Sequence, residues 1–338
     1  MTIPSRQTVV LLRKFGGPEE LVVTEAAVPE PAPGEVLVKI LAASVQFTDV
    51  MLRKGRYPDL KDKPPLVLGY DLVGEIVKLG AGVQSLRIGQ RVADLTTTGC
   101  HAQYRTLAAN RVTLVDPALD PAAATALVLS WTTAWQLLHR DAKVKKGDQL
   151  LVIGAAGAVG EALVVLGKLA GCEVWGTARA RHAERVRECG ATPVDSDQAD
   201  YATLFPGGFD AVFDGIGGQG FSRVWRAVGP RGHLSTFGVS AAIQGDIPFV
   251  RVGLWFAKLW AWNHFAGRRS TSFYSITTMR RKRFEWFLAD LAELLALARR
   301  GAIRPRISER IGFDEVVEAH RRLERGGVEG KIILLPNG

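Results

Sequence analysis

The stretch that decides the fold is LLVIGAAGAVGEALVV, residues 150–165. It begins as a short apolar run typical of a buried strand, turns at glycines and continues with helical periodicity. The glycines follow the spacing Gly154-x-x-Gly157-x-x-Gly160, and Ala155 stands where the dinucleotide-binding fingerprint has its first glycine. Glycines also occur in plain tight turns, but a strand before them and a helix after them favour a site that holds a pyrophosphate.

The residues after the second predicted strand distinguish NAD from NADP. An NAD site carries an acidic residue about 20 positions past the first glycine, where it accepts hydrogen bonds from the ribose hydroxyls. Here Thr177 and Ala178 occupy that place, and the basic residues Arg179, Arg181, His182 and Arg185 follow. A guanidinium group binds a phosphate through two hydrogen bonds, whereas a carboxylate would repel it. Basic residues are common on helix surfaces, but with the acid missing they favour NADPH.

Composition places the chain among globular proteins. Its 338 residues suffice for two domains, and 47% hydrophobic with 23% charged residues argue against disorder. The net charge of +9 implies an affinity for anions, such as a phosphorylated cofactor, although a solvated basic face is the simpler explanation. The sequence contains no nucleic-acid-binding module, so we expect no nucleic-acid partner. Three scattered cysteines form no C-x-x-C pair, which suits a reducing, cytoplasmic location.

A membrane location is not expected. The N-terminal sequence lacks an apolar segment of signal-peptide length. The most apolar late stretch contains Arg251 and Lys258 within the length of one membrane span, so we expect no span.

The order of predicted elements gives the domain organisation. Residues 1–125 contain short apolar runs separated by glycine and proline, as in EVLVKILAASV at 35–45, and this pattern is typical of a β-rich domain. Between residues 126 and 276, strands alternate with helix-sized patterns, which predicts βαβ units and a parallel sheet. Residues 277–338 contain a long amphipathic helix at 281–301 and a last strand. The predicted fold class is therefore α/β.

These segments together resemble the zinc-free quinone oxidoreductase branch of the medium-chain dehydrogenase/reductases, and within it the VAT-1-like subgroup. The similarity is carried by PAPGEVLVKILAASVQFTDVMLRKGRYP, VLGYDLVGEIVKLGAGV, GCHAQYRTL, SWTTAWQLL, VIGAAGAVG and GKIILLP. It implies a Rossmann doubly wound parallel sheet inserted in a GroES-like β-rich catalytic domain. Residues 1–125 and 277–338 would form the catalytic domain, and 126–276 the NADP-binding domain. The family also implies a homodimer, paired through an edge of the Rossmann sheet.

The resemblance further implies particular site residues. Tyr57 matches a tyrosine beside the nicotinamide, Gln46 stands where many relatives have asparagine, and Thr133 matches a threonine that contacts the carboxamide. These three are the expected catalytic residues, although Tyr57 could also be an ordinary tyrosine of a surface turn. The expected cofactor-binding residues are Ala156, Gly157, Ala158, Val159, Gly160, Arg179, Arg181, His182, Ser196, Ile216, Gly217, Phe237, Gly238, Val239, Phe273, Tyr274, Ser275 and Lys331.

The sequence lacks the residues of a zinc site. Gln46 and Tyr70 match positions where zinc-dependent relatives carry ligands, and the four-cysteine lobe is missing, so we expect no metal. Hydride transfer to an isolated ketone leaves a localised alkoxide, which needs a Lewis acid or a strong proton donor. Addition to a quinone or to an α,β-unsaturated carbonyl spreads that charge. The expected activity is therefore NADPH-dependent reduction of a quinone or an activated C=C bond in a small apolar substrate.

Two features leave alternatives open. The basic run MRRKRFEW at 279–286 is either a solvated helix face or a landing site for an acidic carrier protein or a CoA phosphate. The aromatic stretch 249–265 is expected to pack within the fold, and a substrate pocket or a dimer contact is its second interpretation. The alternative functions are an enoyl reductase acting on a carrier-bound or natural-product substrate, and an NADPH-binding protein without turnover.

Overall fold

The chain is described by a computed structural model that covers residues 2–57, 60, 62–197, 200–217, 221–238, 249–265 and 267–337. Of residues 221 and 249–252 only the backbone is described. The chain divides into two units, Met1–Thr132 with Arg283–Gly338, and Thr133–Lys282. The domain boundaries expected at 125/126 and 276/277 stay predictions.

The strands and helices have the following bounds. The strands are β1 Arg6–Leu12, β2 Leu21–Ala27, β3 Glu35–Val45, β4 Leu66–Val67, β5 Asp71–Leu79, β6 Arg91–Leu95, β7 Tyr104–Ala108, β8 Thr113–Val115, β9 Gln149–Ile153, β10 Glu173–Ala178, β11 Thr192–Asp195, β12 Phe209–Asp214, β13 Val228–Thr236, β14 Ser270–Phe273, β15 Ile307–Ile311 and β16 Lys331–Leu334. The α-helices are Phe47–Arg53, Pro121–Ala126, Thr132–Gln136, Ala158–Leu169, Ala183–Glu188, Phe221–Arg226, Phe249–Phe265, Ile276–Lys282, Phe284–Arg299 and Val316–Arg325. Two π-helical turns, Leu127–Trp131 and Leu137–Ala142, adjoin Thr132–Gln136.

The first unit is built mainly from antiparallel strands. A three-stranded sheet has the order β2-β1-β4, and a larger sheet has the order β15-β16-β3-β5-β6-β8 with β7 also paired to β3. Val36, Val38 and Ile40 alternate along β3 and pack in one buried cluster with Leu72 and Ile76 of β5. The end of β3 pairs with β16, with Val45 opposite Ile332. This pairing brings the first residue of β16 beside the turn that follows β3.

The second unit contains one parallel sheet. Its strand order is β11-β10-β9-β12-β13-β14, and every neighbouring pair is parallel. This is a doubly wound order in which the chain changes direction across the sheet at β9 and β12. Ligands of such sheets bind at the carboxyl ends of the strands near that point. The predicted α/β class with a parallel sheet is confirmed.

The edge strand β14 is covered at its centre by a side chain. The Asn263 side-chain amide donates to the Thr271 carbonyl at 2.8 Å, and its oxygen accepts the Thr271 amide N–H at 2.5 Å. The Thr271 hydroxyl also donates to the Leu259 carbonyl at 3.0 Å. One asparagine thus satisfies both backbone groups that Thr271 would otherwise offer to a further strand.

The aromatic stretch 249–265 forms the helix Phe249–Phe265 and divides into two faces. Trp255 and Trp262 pack against the core of the second unit, and Trp262 stacks on Trp225 with 4.6 Å between ring centroids. Phe256, Trp260 and Phe265 are exposed. The expected packing within the fold therefore applies to one face only. Within the described part of the chain, no helix combines the length and the apolar character that crossing a bilayer requires.

The basic run at 279–286 lies where one helix ends and the next begins. Arg280, Arg281 and Lys282 form the last turn of Ile276–Lys282, and Arg283 precedes Phe284–Arg299. The single helix predicted for 281–301 therefore begins only at Phe284. Positive side chains are favoured at a helix C-terminus, so the run needs no binding partner to explain it.

Candidate active site

In the second unit, the glycine turn between β9 and the helix Ala158–Leu169 has the shape the sequence predicts. Gly154 has φ +80°, a conformation that residues with a side chain rarely adopt. A Cβ atom on Gly160 would lie 2.2 Å from the Gly154 carbonyl oxygen, so helix and turn pack too closely for any other residue. The Gly154 amide N–H donates to the Thr177 hydroxyl at 3.1 Å. Thr177, which replaces the acid of an NAD site, therefore holds the turn in place.

The same turn fits a phosphate group. A Cβ atom on Gly157 would meet only the Gly154 carbonyl oxygen, at 3.4 Å, so the fold itself leaves room for a side chain there. Gly157 is exposed and precedes the helix Ala158–Leu169, whose N-terminus has no side-chain cap. The open backbone at Ala156, Gly157, Ala158 and Val159 therefore suits an anion bound at a helix N-terminus.

The basic residues after β10 are arranged around the ends of two parallel strands. Arg179 and Arg181 are exposed, and the Arg181 Nε–H donates to His182 Nε2 at 3.0 Å. The Ser196 amide N–H donates to the Ala178 carbonyl at 3.0 Å, so Ser196 lies beside the end of β10. The two arginines are therefore available to an anionic group at this edge of the sheet.

Arg185 is engaged elsewhere, which the sequence did not reveal. Its Nη2 lies 2.5 Å from Glu161 Oε2, and both side chains are buried. Glu161 belongs to the first turn of Ala158–Leu169. Without Arg185, a carboxylate at this helix N-terminus would repel a phosphate, and the ion pair cancels that negative charge.

The remaining expected cofactor contacts lie at or after the carboxyl ends of strands. The amides of Ile216 and Gly217 both donate to Asp214 Oδ1, at 2.9 and 3.0 Å, after β12. Burial raises the Asp214 pKa, and these two hydrogen bonds oppose the rise. A Cβ atom on Gly238 would lie 1.8 Å from the Gly215 carbonyl oxygen, so the segments that follow β12 and β13 touch. Phe237 precedes Gly238, while Val239 lies outside the described residues.

The segment after β14 and the helix Thr132–Gln136 are joined by a hydrogen bond. The Tyr274 hydroxyl donates to the Gln136 side-chain oxygen at 2.7 Å, and both residues are buried. Phe273 is partly exposed, and the Ser275 hydroxyl lies 2.9 Å from that of Thr277. Thr133 is also buried. The expected cofactor-binding residues described in the second unit thus follow the carboxyl ends of β9, β10, β11, β12, β13 and β14, whereas Thr133 lies on the helix Thr132–Gln136.

In the first unit, a buried polar cluster surrounds Gln46. Its side-chain oxygen accepts a hydrogen bond from the Lys331 ammonium group, and its Nε2 donates to Asp71 Oδ2 at 3.3 Å. The Asp71 Oδ1 accepts the Ser44 amide N–H at 3.1 Å, and Asp49 Oδ2 accepts that of Gln46 at 2.9 Å. Gln46, Asp49, Asp71 and Lys331 are all buried. The sequence signal for Asp71 was an acid at the start of an otherwise apolar strand.

Burial governs the charges of this cluster. It raises the pKa of Asp49 to about 8, with hydrogen bonding from Gln46 opposing and the Asp71 charge adding to the rise. It also raises the pKa of Asp71 and lowers that of Lys331, and the attraction between these two groups opposes both changes. Gln46 joins Lys331 and Asp71 with one hydrogen bond to each, and beside them Asp49 keeps its proton near neutral pH. Asp49 is the third residue of the helix Phe47–Arg53, and its carboxyl group accepts the amide N–H of Gln46, the residue before the helix. Asp49 therefore caps the start of this helix.

Tyr57 has a buried partner that sequence reasoning did not identify. Its hydroxyl is hydrogen-bonded to the hydroxyl of Tyr70, and the two rings meet edge to face with 5.6 Å between centroids. Tyr70 is fully buried, and its carbonyl accepts the amides of Thr96 and Thr97 at 2.9 and 3.1 Å. The position of Tyr57 is therefore set by a well-fixed neighbour rather than by a free surface turn.

The groups around Gln46 do not fit a zinc ion. Protein zinc ligands are thiolates, imidazoles and carboxylates, whereas here the Gln46 amide is bonded at both ends, to Lys331 and to Asp71. The buried His101 is bonded through Nε2 to the Ser44 carbonyl at 2.9 Å. Over the described ranges, no group of three or more His, Cys, Asp or Glu side chains is arranged to hold a metal.

Comparison with known proteins agrees with this architecture. The sequence profile described as alcohol dehydrogenase GroES-like domain matches residues 32–117, and that described as zinc-binding dehydrogenase matches residues 189–334. The human synaptic vesicle membrane protein VAT-1 homolog is 29% identical, covering 97% of this chain and 86% of its own length. A 2-haloacrylate reductase from Burkholderia sp is 27% identical, covering 96% of this chain and 98% of its own.

Solved structures match over nearly the whole chain. A mycobacterial protein complexed with NADPH superposes with a TM-score of 0.84 at 28% identity, covering 98% of this chain and 100% of its own. Quinone oxidoreductases are among the other matches. A Rossmann sheet inserted between two segments of a GroES-like β-rich domain defines a medium-chain type of oxidoreductase. The chain belongs to the medium-chain dehydrogenase/reductase family, in its quinone oxidoreductase and VAT-1-like group.

Replacing Asp49 by asparagine tests whether this carboxyl group is neutral in the folded protein. Since its folded pKa of about 8 exceeds the ordinary 3.8, the folded chain keeps a proton that the unfolded chain releases. The contribution of Asp49 to stability is therefore present at low pH and is lost as the pH rises through about 8. Relative to Asp49→Asn, we expect the wild type to lose about 1.4 kcal/mol per pH unit from about pH 5 to pH 8. Urea unfolding of both proteins measures this, and parallel pH profiles would contradict it.

Proposed function

We propose that this protein is an NADPH-dependent reductase that transfers hydride to a quinone or to the activated C=C bond of an α,β-unsaturated carbonyl compound, without zinc. The observation that carries the proposal is the buried cluster of Gln46, Asp71 and Lys331, which fits no zinc ion. A site that lacks a Lewis acid suits substrates whose negative charge is delocalised as it forms. The relatives named quinone oxidoreductase and 2-haloacrylate reductase support this substrate class.

The second unit supplies the cofactor-binding residues of the proposal. The backbone from Ala156 to Gly160 would hold the pyrophosphate, and Arg179 and Arg181 would bind the 2′-phosphate. NADPH, when bound, supplies the hydride. Ser196 lies beside the end of β10, and Ile216, Gly217 and Phe237 follow strand ends, as a dinucleotide along this edge requires. The NADPH-complexed relative supports the choice of cofactor.

The first unit supplies the residues that orient the substrate. A tyrosine hydroxyl can donate a hydrogen bond to a carbonyl oxygen, and Tyr70 holds that of Tyr57 in place. Gln46 has both ends of its amide engaged, so we assign it to positioning Lys331 rather than to direct contact. Lys331 is buried in this part of the unit and donates to Gln46. Thr133, from the second unit, stays the proposed contact to the carboxamide.

The activity is tested by following NADPH oxidation with four substrates. We expect oxidation with an enone, an enal or a quinone and none with an isolated ketone. Tyr57→Phe should lower kcat by at least about tenfold with the active substrate, because a hydrogen-bond donor to the developing charge is lost. Oxidation with the ketone alone would contradict the proposal. Tight NADPH binding with no turnover on any substrate would instead favour a carrier-bound substrate or a non-catalytic role.

The cofactor preference is tested by removing Arg179 and Arg181. A charge-assisted hydrogen bond contributes about 1.5–3 kcal/mol, so the double alanine variant should bind NADPH at least about tenfold more weakly. NADH, which has no 2′-phosphate, should bind as it does to the wild type. Arg187→Ala is the matched control, since Arg187 is exposed and pairs with Glu184. Fluorescence titration at fixed low salt gives the affinities, and equal weakening of both cofactors would contradict the assignment.

A further inference from the structure

We propose that Ser270 is an activated nucleophile that accepts acyl groups from activated esters and thioesters. The residues that support it, Asp141, His233 and Ser272, all belong to the second unit. They take no part in the proposed reduction. Ser270 begins β14, at the end of the strand opposite to Phe273, near which the expected cofactor contacts lie.

The parallel pairing of β13 with β14 brings these side chains together. His233 stands opposite Ser270 and Ser235 opposite Ser272, so all four project from the same face of two neighbouring strands. The π-helical turn Leu137–Ala142 packs on β13 and places Asp141 over this face. The result is a line of polar groups that runs from a partly buried carboxylate to an exposed hydroxyl.

The hydrogen bonds to Asp141 determine the direction of donation along this line. The hydroxyls of Ser235 and Ser272 both donate to Asp141 Oδ2, at 2.6 and 2.5 Å. These bonds and His233 lower the pKa of Asp141 although burial opposes them, so the group is a carboxylate. Having donated its only hydrogen, Ser272 can only accept from His233 Nε2, which lies 3.1 Å from its oxygen and 3.4 Å from Asp141 Oδ2.

The other ring nitrogen of His233 is thereby left as an acceptor. In the neutral ring the proton resides on Nε2, and Nδ1 lies 2.7 Å from the Ser270 hydroxyl oxygen. Ser270 therefore donates its hydrogen to Nδ1 of His233, and the Asp141 carboxylate, near Nε2 on the other side of the ring, orients that ring. A nucleophile within hydrogen-bond reach of a base, and a third group that orients the base, is the arrangement of nucleophilic catalysis.

Access and charge favour reaction at Ser270. The residue is exposed, whereas Ser235 is buried and Ser272 is half-buried. Arg268 and Arg269 precede it directly, and their positive charges favour acyl donors with an anionic or electron-rich leaving group. Asp141 and His233 are both shielded, with 21% and 16% of their side chains exposed, so water competes less for their hydrogen bonds.

The proposed step is a simple acyl transfer. The Ser270 oxygen attacks the carbonyl carbon of the ester and forms a new C–O bond, while its proton passes to His233 Nδ1. The bond between that carbon and the leaving group breaks, and the leaving group departs as an alkoxide, phenolate or thiolate. The product is an ester on Ser270 and a protonated imidazole.

The experiment uses p-nitrophenyl acetate as the acyl donor and the full-length protein. We expect release of p-nitrophenolate and acetylation of Ser270, located by peptide mass spectrometry. Ser270→Ala should remove this label, and Asp141→Asn should slow labelling at least about tenfold, since general-base assistance contributes about 10²–10⁴-fold. Ser272→Ala, which removes the nearer of the two acceptors of His233 Nε2, is the second test should Asp141→Asn not fold. Ser222→Ala, at another exposed serine, should leave labelling unchanged.

Two results would overturn the proposal. The first is a label that persists at the same rate in Ser270→Ala. The second is Asp141→Asn and Ser272→Ala proteins that melt at lower temperature but react as fast as the wild type, since the network would then be structural only. NADPH oxidation by Ser270→Ala should equal that of the wild type, which separates this proposal from the proposed reduction.

Discussion

Lys331→Met should lower the free energy of unfolding by about 3–5 kcal/mol, because removing one of two opposite charges from a buried polar cluster leaves the other uncompensated. Asp71 would lose the ammonium group that balances it, and the Gln46 side-chain oxygen would lose its donor. A methionine fills a similar volume, so a cavity contributes little to this loss. Urea denaturation with a structural probe in the first unit measures the effect.

A second substitution separates charge from shape in this cluster. With Asp71→Asn added to Lys331→Met, no buried charge is left unpaired, and we expect most of the lost stability to return. Asp49→Asn added instead should restore little near neutral pH, since Asp49 is already protonated there. A Lys331→Met protein within about 1 kcal/mol of the wild type would refute the electrostatic coupling between Lys331 and Asp71.

Arg185→Met should have a comparable effect in the second unit. Glu161 would remain buried without its partner, at an expected cost of about 3–5 kcal/mol. The substitution would also leave the Glu161 carboxylate unpaired in the first turn of Ala158–Leu169. The variant should therefore bind NADPH more weakly at temperatures where it is still folded. Thermal unfolding with and without NADPH reports both effects.

The matched controls for Arg185 lie on the same two helices. Arg187→Met removes an exposed arginine and should change stability by less than about 0.5 kcal/mol. Adding Glu161→Gln to Arg185→Met should recover most of the stability and all of the electrostatic loss in NADPH affinity. If the double variant is no more stable than Arg185→Met, the loss is due to packing of the long side chain and not to charge.

Local patterns explain what the sequence predicted. The strand, glycine turn and helix at 149–169 involve neighbours a few residues apart, so spacing alone indicates them. The alternation of strands and helices likewise indicates the parallel sheet. The helix expected at 281–301 begins only at Phe284, after the irregular backbone of Arg283. The sequence does not show this boundary, because the residues on both sides of Arg283 have helical composition.

Contacts between distant residues explain what the sequence did not predict. Gln46 and Lys331 are 285 positions apart, and only the pairing of β3 with β16 brings them together. The sequence places Arg185 with the basic residues after β10, because nothing in its own segment shows that Glu161, 24 positions earlier, lies against it. Asp141, His233 and Ser272 come from three separate segments and share no motif.

The amide of Asn263 has a consequence for how this protein behaves at high concentration. An unpaired strand edge is a template on which a foreign chain can add, and such addition propagates into fibrils. At Thr271 that template is interrupted, because the asparagine mimics the strand that would come next. A second copy or a partly folded chain must displace this side chain before the parallel sheet can grow past its sixth strand. Asn263 thereby favours a finite sheet over an open-ended polymer.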